Sequence, residues 1–233
     1  MANAPFLRTM GSMHRRALIL IALVAPALCR TPLAAQDLSV VSHADVPPAT
    51  LADAIKALLD TGGQRVTIGA TQIDFWWVKA VPLKSGAAPA SWSQVAEGTM
   101  VGAARLSATH TDIRGRRIKA GIYTLRYGIQ PNNGDHLGVS PFREFLLLSP
   151  AALDTEPAPI EHDPLAELSG KSIGSSHPAT WSLDPPAATA DLLAIYTNDA
   201  GHKGVILQIP AAREGRDAGL LRFGLILIGE IEA

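Results

Sequence analysis

The chain has 233 residues, of which 47% are hydrophobic and 18% are charged, and its formal net charge at pH 7 is −1. Four of its 20 basic residues precede Asp37 and none of its 21 acidic residues does, so the remainder has 16 basic and 21 acidic residues and a net charge of −5. This balance excludes the extended basic face that nucleic-acid binding requires, and the single cysteine excludes an intrachain disulfide framework.

The first 35 residues have the organisation of a secretory signal peptide. Arg15 and Arg16 precede the apolar run 17–25, and Leu33-Ala34-Ala35 places an aliphatic and a small residue before the expected cleavage point. The apolar run is shorter than the ~20 residues of a membrane-spanning helix. We therefore expect cleavage after Ala35 and a protein exported to the periplasm or the extracellular space, with no membrane span in the mature chain.

The export route and the start codon stay open at this point. The adjacent arginines 15 and 16 are compatible with an ordinary Sec signal and with a loosely matching twin-arginine signal. Met10 and Met13 are both alternative starts, because the residues before them add nothing to the signal.

The segment TLADAIKALLDTGG predicts an N-terminal α-helix over residues 50–60. Thr50 is the expected N-cap, and Asp53 follows it at the spacing of a capping box. Apolar residues recur at helical spacing, and Gly62-Gly63 supplies the expected stop. A second, short helix is predicted over residues 163–168.

The rest of the chain is typical of short antiparallel strands joined by turns. Its apolar segments are rich in β-branched and aromatic residues, and turn sequences such as 112–115 and 198–201 separate them. The predicted strands are 65–68, 71–81, 101–109, 117–127, 144–149, 181–183, 192–197, 204–209 and 221–231. The expected fold is mainly β: one antiparallel β-sandwich domain over residues 36–233, with the 50–60 helix packed on it.

Residues 112–125 carry the one family resemblance in the chain. Ala120, Gly121, Tyr123 and Leu125 form an A-G-x-Y-x-L hairpin that resembles one found in secreted bacterial β-sandwich proteins of unknown function. The resemblance implies a sandwich fold in an exported protein. It implies no catalytic residue, because those families have no agreed activity.

The loop between the strands ending at 131 and beginning at 144 is the best candidate for a functional site. It holds Asp135 and His136, and we expect the loops with His162 and His177 to be its neighbours at one end of the sandwich. Imidazole and carboxylate groups together suit a divalent metal such as zinc or copper. The alternative is that Pro-Asn-Asn-Gly-Asp is turn chemistry only, and that Arg143 makes a strand-entry ion pair instead of binding a ligand.

Trp76 and Trp77 suggest carbohydrate binding as a second hypothesis. Adjacent strand residues point to opposite faces, so one of the two could form an exposed platform for sugar rings. The competing interpretation places both tryptophans in the core, one under the sheet and one under the N-terminal helix.

These patterns favour a binding or structural module over an enzyme. The histidines show neither H-x-H nor H-E-x-x-H spacing, so no sequence pattern fixes a catalytic or metal-binding geometry. The cofactor is unknown, with a divalent metal as the candidate. A carbohydrate or a protein is the expected partner.

Overall fold

The computed structural model describes residues 37–131, 142–186 and 190–230, and the architecture over these ranges is mainly β. About 46% of these residues lie in strands and 10% in helices, which confirms the predicted fold class at that level. The helices in the described ranges are too short to cross a membrane.

The chain forms thirteen strands, two α-helices and one 3₁₀ turn in the described ranges. The strands are β1 Leu38–His43, β2 Gly63–Ile68, β3 Thr71–Trp77, β4 Val81–Pro82, β5 Met100–Leu106, β6 His110–Thr111, β7 Arg117–Ile118, β8 Gly121–Ile129, β9 Glu144–Pro150, β10 Thr180–Asp184, β11 Ile195–Thr197, β12 Lys203–Arg213 and β13 Arg216–Ile228. The helices are α1 Asp53–Leu58 and α2 His162–Gly170, and the 3₁₀ turn is Trp92–Gln94.

Most of the strands belong to one curled, largely antiparallel sheet. Its order is β1-β2-β3-β5-β8-β9-β10-β13-β12-β11, and every neighbouring pair in this series is antiparallel. β4 pairs in parallel with β12, far along the sheet from β3. The chain therefore passes from one flank of the sheet to the other between β3 and β4, and the sheet must curl for both pairings to form.

Aromatic side chains fill the space that the curled sheet encloses. Phe75 and Trp77 stack on the same face of β3, with ring centroids 5.2 Å apart. Phe75 meets Trp181 of β10 at 5.5 Å and Trp77 meets Phe223 of β13 at 5.6 Å, both edge to face. Strands that are distant in the sheet order thus contact each other through one aromatic core.

The N-terminal helix is shorter than the predicted 50–60, so those predicted bounds are wrong. α1 begins at Asp53, because residues 48–51 form a turn in which the amide of Leu51 donates a hydrogen bond to the carbonyl of Pro48. It ends at Leu58, because Leu59 is extended and forms a bridge with Val78. The second helix was predicted over 163–168 and is observed over His162–Gly170.

A buried ion pair ties the sheet to the long connection that precedes α2. Arg126 of β8 and Asp154 are both essentially inaccessible, and two hydrogen bonds of 2.7 and 2.8 Å join them. Arg126 also donates to the carbonyls of Ala158 and Glu156, which belong to the same connection. This network fixes the path of residues 154–158 and hence the position at which α2 starts.

Candidate functional site

A cavity of about 270 Å³ lies between the sheet and α2, and we call it the α2 cavity. Its floor is formed by Gly128 of β8, Phe145 and Leu147 of β9, and Thr180 and Ser182 of β10. Leu147 pairs across the sheet with Thr180, and Phe145 pairs with Gly128 and Ser182, so these residues share one face. Since Leu146 and Leu148 point into the aromatic core, the α2 cavity is on the opposite, outer face.

The walls of the α2 cavity come from three separate segments. α2 contributes His162 and Ala166, the turn between β6 and β7 contributes Ile113 and Arg114, and the segment before β10 contributes Ser176, His177 and Pro178. Apolar atoms supply most of the lining surface, and two of the polar groups in it are held in a defined geometry. A concave apolar surface with a few placed polar groups is the usual form of a small-molecule site.

The first polar group is a carboxylate–imidazole pair made by Glu97 and His162. Oε1 of Glu97 lies 2.8 Å from Nδ1 of His162 and also accepts the amide of Ile129 at 3.1 Å. In the neutral imidazole this contact places the proton on Nδ1, which leaves Nε2 with a lone pair. His162 can therefore accept a hydrogen bond or a proton, or ligate a metal, through Nε2.

The second polar group is the guanidinium of Arg114. The turn that carries it is held by Asp112, whose Oδ1 accepts the amides of Arg114 and Arg116 at 2.9 Å each. Nη2 of Arg114 donates to Oγ1 of Thr180 at 2.5 Å and to the carbonyl of Pro178 at 3.0 Å. Burial, and then the charge of Arg116, lower the pKa of Arg114, which is still a cation at neutral pH.

The structure brings together two of the residues proposed from the sequence. His162 and His177 both line the α2 cavity, although they lie in different segments. Asp135 and His136 lie outside the described residues. Within the described ranges no group of three metal-ligating side chains occurs, and Glu97 with His162 makes a pair.

The hypothesis of an exposed tryptophan platform at Trp76 or Trp77 is wrong, because both side chains are buried, as the competing interpretation predicts. Trp77 belongs to the aromatic core, and Trp76 lies on the opposite face of β3. There its Nε1 donates to the carbonyl of Asp45, its ring meets His43 edge to face at 5.2 Å, and the Arg105 guanidinium lies 5.5 Å from the ring centre. The N-terminal segment thus covers the face that a sugar would need.

Arg143 closes the end of a strand pair. Its Nε and Nη2 donate to the carbonyl of Gln130 at 3.2 and 2.6 Å, and its own carbonyl accepts the amide of Gln130. The guanidinium thus extends the β8–β9 ladder by one step, toward residues 132–141.

A second cavity, of about 540 Å³, has the aromatic surface that Trp76 and Trp77 do not provide. Trp92, Phe142 and Leu220 line it together with the carboxylates of Glu144 and Asp184. Trp92 is partly exposed, and one side of its ring stacks on Tyr127 at 5.4 Å. This cavity therefore combines an aromatic ring with carboxylates, a mixture of apolar and charged groups that is usual in ligand pockets.

Two groups that line the α2 cavity, Glu97 and Arg114, were not predicted from the sequence. Glu97 is 65 positions from His162, and no local pattern links them. Arg114 belongs to a basic cluster that is typical of a turn. Conversely, residues 170–174 match G-x-S-x-G, but Ser172 is buried and its hydroxyl donates to the carbonyl of Leu148 at 2.7 Å, so it is a structural residue.

Comparisons with protein-family models, with curated proteins and with solved structures found no match for this chain. The resemblance of residues 112–125 to secreted β-sandwich proteins therefore stays a prediction. The function of the chain is accordingly inferred from the geometry of its two cavities.

Proposed function

We propose that the protein is a binding module whose ligand is a small, mainly apolar molecule held in the α2 cavity. The observation that carries this proposal is the convergence of His162, His177, Glu97 and Arg114, from four separate segments, around a floor that includes Phe145 and Leu147. The cavity volume of about 270 Å³ lies near the lower end of ligand pockets, which begin at roughly 300 Å³. Such a volume suits a molecule of modest size.

The proposed scaffold for this site is a two-layered β-sandwich. β10 supports it, since Thr180–Ser182 pair with β9 while Leu183 and Asp184 pair with β13. A strand that changes partners in this way marks the corner between two packed layers. The contacts of Phe75 with Trp181 and of Trp77 with Phe223 support the same arrangement.

We also propose that the protein is exported and that residues 1–35 are removed. Support comes from the basic start, the short apolar run and the Leu33-Ala34-Ala35 sequence. N-terminal sequencing of the protein recovered outside the cytoplasm should give a chain that begins at Gln36. Recovery of an intact Met1, Met10 or Met13 terminus in the cytoplasm would contradict this proposal.

Metal binding remains a second candidate for the same region, and the Glu97–His162 pair favours it. A carboxylate that accepts from one ring nitrogen is the usual support for a histidine that ligates a metal through the other. His162 Nε2 and His177 would be ligands, and Asp135 and His136, which lie outside the described residues, are the further candidates proposed from the sequence. A carbohydrate ligand is a third candidate, now assigned to the cavity at Trp92.

A binding panel on the purified protein separates these functions. The probes are indole and decanol for an apolar ligand, Zn²⁺ for a metal, and cellobiose for a sugar. Binding of each probe is monitored through the amide chemical shifts of the protein. We expect indole or decanol to shift the amides of Gly128, Phe145 and Thr180. Ala166→Trp, which fills the α2 cavity, should weaken this binding by about tenfold or more, equivalent to ~1.4 kcal/mol.

Glu167→Trp is the matched control, because Glu167 is on the same helix and its side chain is 78% exposed. This variant should bind the apolar probes as the parent protein does. Shifts produced only by Zn²⁺ and lost in His162→Gln would favour the metal instead. Shifts produced only by cellobiose and lost in Trp92→Ala would favour the carbohydrate, and no shift with any probe would overturn the binding function.

A further inference from the structure

We propose that the ligand of the α2 cavity is an amphipathic monocarboxylic acid, with its carboxylate beside Arg114 and Thr180 and its apolar part over the floor of the cavity. This inference rests on the proposed binding function and specifies the chemical class of its ligand. It is based on a surplus of positive charge at one end of the cavity and on a carboxylate at the other end.

The turn that carries Arg114 holds one more cation than anion. Arg114 and Arg116 both donate to the carbonyl of Pro178, at 3.0 and 3.2 Å, so their guanidinium groups are close together. Asp112 is the acid beside them, with Oδ2 3.6 Å from Nη2 of Arg114, and its side chain is fully buried. Two guanidinium groups against one carboxylate leave a net charge of +1, which matches a monoanion better than a dianion.

Thr180 is placed to complete the recognition of an anion. Its Oγ1 accepts from Arg114 at 2.5 Å, so the hydroxyl still has its own proton to donate. Thr180 is on the floor of the cavity and Arg114 is on its wall. A carboxylate beside this hydrogen-bonded pair would accept a charge-assisted hydrogen bond from the hydroxyl and would lie next to the guanidinium charge, which is the stronger class of polar contact.

The opposite end of the cavity fixes the direction in which the acid lies. Glu97 is bonded to the amide of Ile129 on β8, two strands from Thr180 on β10, which is a separation of about 10 Å across the sheet. A ligand carboxylate at that end would be repelled by Glu97. Between the two ends lie Ile113, Phe145 and Leu147, which suit an alkyl chain or a ring.

Three probes of equal length but different charge test the inference: decanoate, decanol and decylamine. We expect calorimetric titration of the purified protein to give decanoate an affinity about tenfold or more above that of decanol, since hydrogen bonds to charged groups contribute more than neutral ones. Decylamine should bind more weakly than decanoate, because its ammonium group would meet Arg114 in the same orientation and would find Glu97 already paired with His162 in the reversed one. In Arg114→Met the preference for decanoate over decanol should disappear.

Arg117→Met is the control variant. Arg117 lies on β7 next to the same turn, is exposed and does not line the α2 cavity, so this variant removes one nearby positive charge and should keep the preference for decanoate. If Arg114→Met fails to fold, Arg114→Lys takes its place and should keep part of the preference, because the charge remains while the planar donor group is lost.

The outcomes separate this inference from the function on which it rests. Equal affinity of the parent protein for decanoate and decanol, with shifts at Gly128 and Phe145, would overturn the acid while leaving a binding cavity. An unchanged preference for decanoate in Arg114→Met would overturn it too. Failure of all three probes to bind would contradict the apolar-ligand function itself.

Discussion

Replacing Arg126 with methionine is expected to lower the free energy of unfolding by about 3–5 kcal/mol, because it leaves the carboxylate of Asp154 buried without its cation. Both side chains are essentially inaccessible, so water does not replace the lost partner. Urea denaturation followed by tryptophan fluorescence measures the change. Most of the effect should appear as a lower midpoint, since the surface exposed on unfolding is nearly the same.

The expected loss of stability is large because all three guanidinium nitrogens of Arg126 donate hydrogen bonds. Nε and Nη2 donate to the two oxygens of Asp154, and Nη1 donates to the carbonyls of Gly98 and Ala158 at 2.8 Å each. Nη2 also reaches the carbonyl of Glu156. Methionine fills part of the volume but removes all of these donors. Asp154 then keeps only the hydroxyl of Thr124, and each buried acceptor that is left unsatisfied costs ~1–3 kcal/mol.

A double variant distinguishes the unpaired charge from simple loss of packing. Arg126→Met combined with Asp154→Leu removes both charges, and we expect it to be more stable than Arg126→Met alone. Lys171→Met is the control, because its pair with Glu167 is exposed on both sides and should change stability by less than about 0.5 kcal/mol. A loss for Arg126→Met as small as this control would contradict the role given to the buried pair.

The same pair connects fold stability to the α2 cavity. Residues 154–158 run from Asp154 toward α2, and Arg126 binds both the side chain and the backbone of this connection. α2 in turn carries His162 and Ala166 over the floor made by β8, β9 and β10. We infer that the sheet supplies the floor of the site, and that the Arg126 network sets the position of its wall.

The sequence predicted the strands better than it predicted the sheet. Most strand segments were found because alternation and β-branched residues are local signals, but β1 was not predicted, since LSVVSH is short and partly polar. The curl of the sheet depends on β4 pairing with β12, and the two-residue strand Val81–Pro82 carries no such signal. The helix predicted over residues 50–60 was too long at both ends. A turn that starts at Pro48 precedes it and a β-bridge at Leu59 follows it, and the capping pattern in the sequence reveals neither contact.

Some residues of the candidate site were predicted from the sequence, and the others were missed for a physical reason. His162 and His177 were singled out because imidazoles in loops are informative residues, and they do line one cavity. Glu97 and Arg114 were missed because their roles depend on which segments the sheet brings together, at separations of 65 and 66 residues from His162 and Thr180. Trp76 and Trp77 were assigned to opposite faces correctly, but alternation alone does not reveal that His43 and Asp45 cover Trp76.

Acidification from pH 7 toward pH 4 is expected to destabilise the protein, and His110 should account for about 3 kcal/mol of the loss. Burial lowers the pKa of His110 to about 4, and the nearby charge of Asp112 opposes this shift only in part. The ring lies 6.0 Å from that of Trp181, and its Nε2 is buried without a hydrogen-bond partner among the described residues. The native state therefore holds His110 as the neutral imidazole.

The direction of the change is set by the protons that each state binds. Between pH ~6.5, the ordinary pKa of an unfolded histidine, and pH about 4, the unfolded chain binds a proton at His110 that the native protein does not. Stability must then fall as the pH falls through this window, by ~1.4 kcal/mol for each unit of pKa difference.

Asp74 contributes to the pH dependence at lower pH. Burial by itself would raise the pKa of Asp74, but the hydrogen bonds and charges of Arg65 and Arg105 lower it, so its contribution to stability is lost only below pH ~4.

Urea denaturation of the parent protein and of His110→Phe at several pH values between 7 and 4.5 isolates this contribution. Phenylalanine keeps an aromatic ring beside Trp181 and does not titrate, so the variant should lose much less stability on acidification than the parent does. His177→Gln is the matched control, because it removes an exposed imidazole instead of a buried one, and it should not reproduce the reduced pH dependence expected of His110→Phe. Parallel curves for the parent and His110→Phe would show that His110 takes up its proton equally in both states, and that result would contradict a buried neutral imidazole against Trp181.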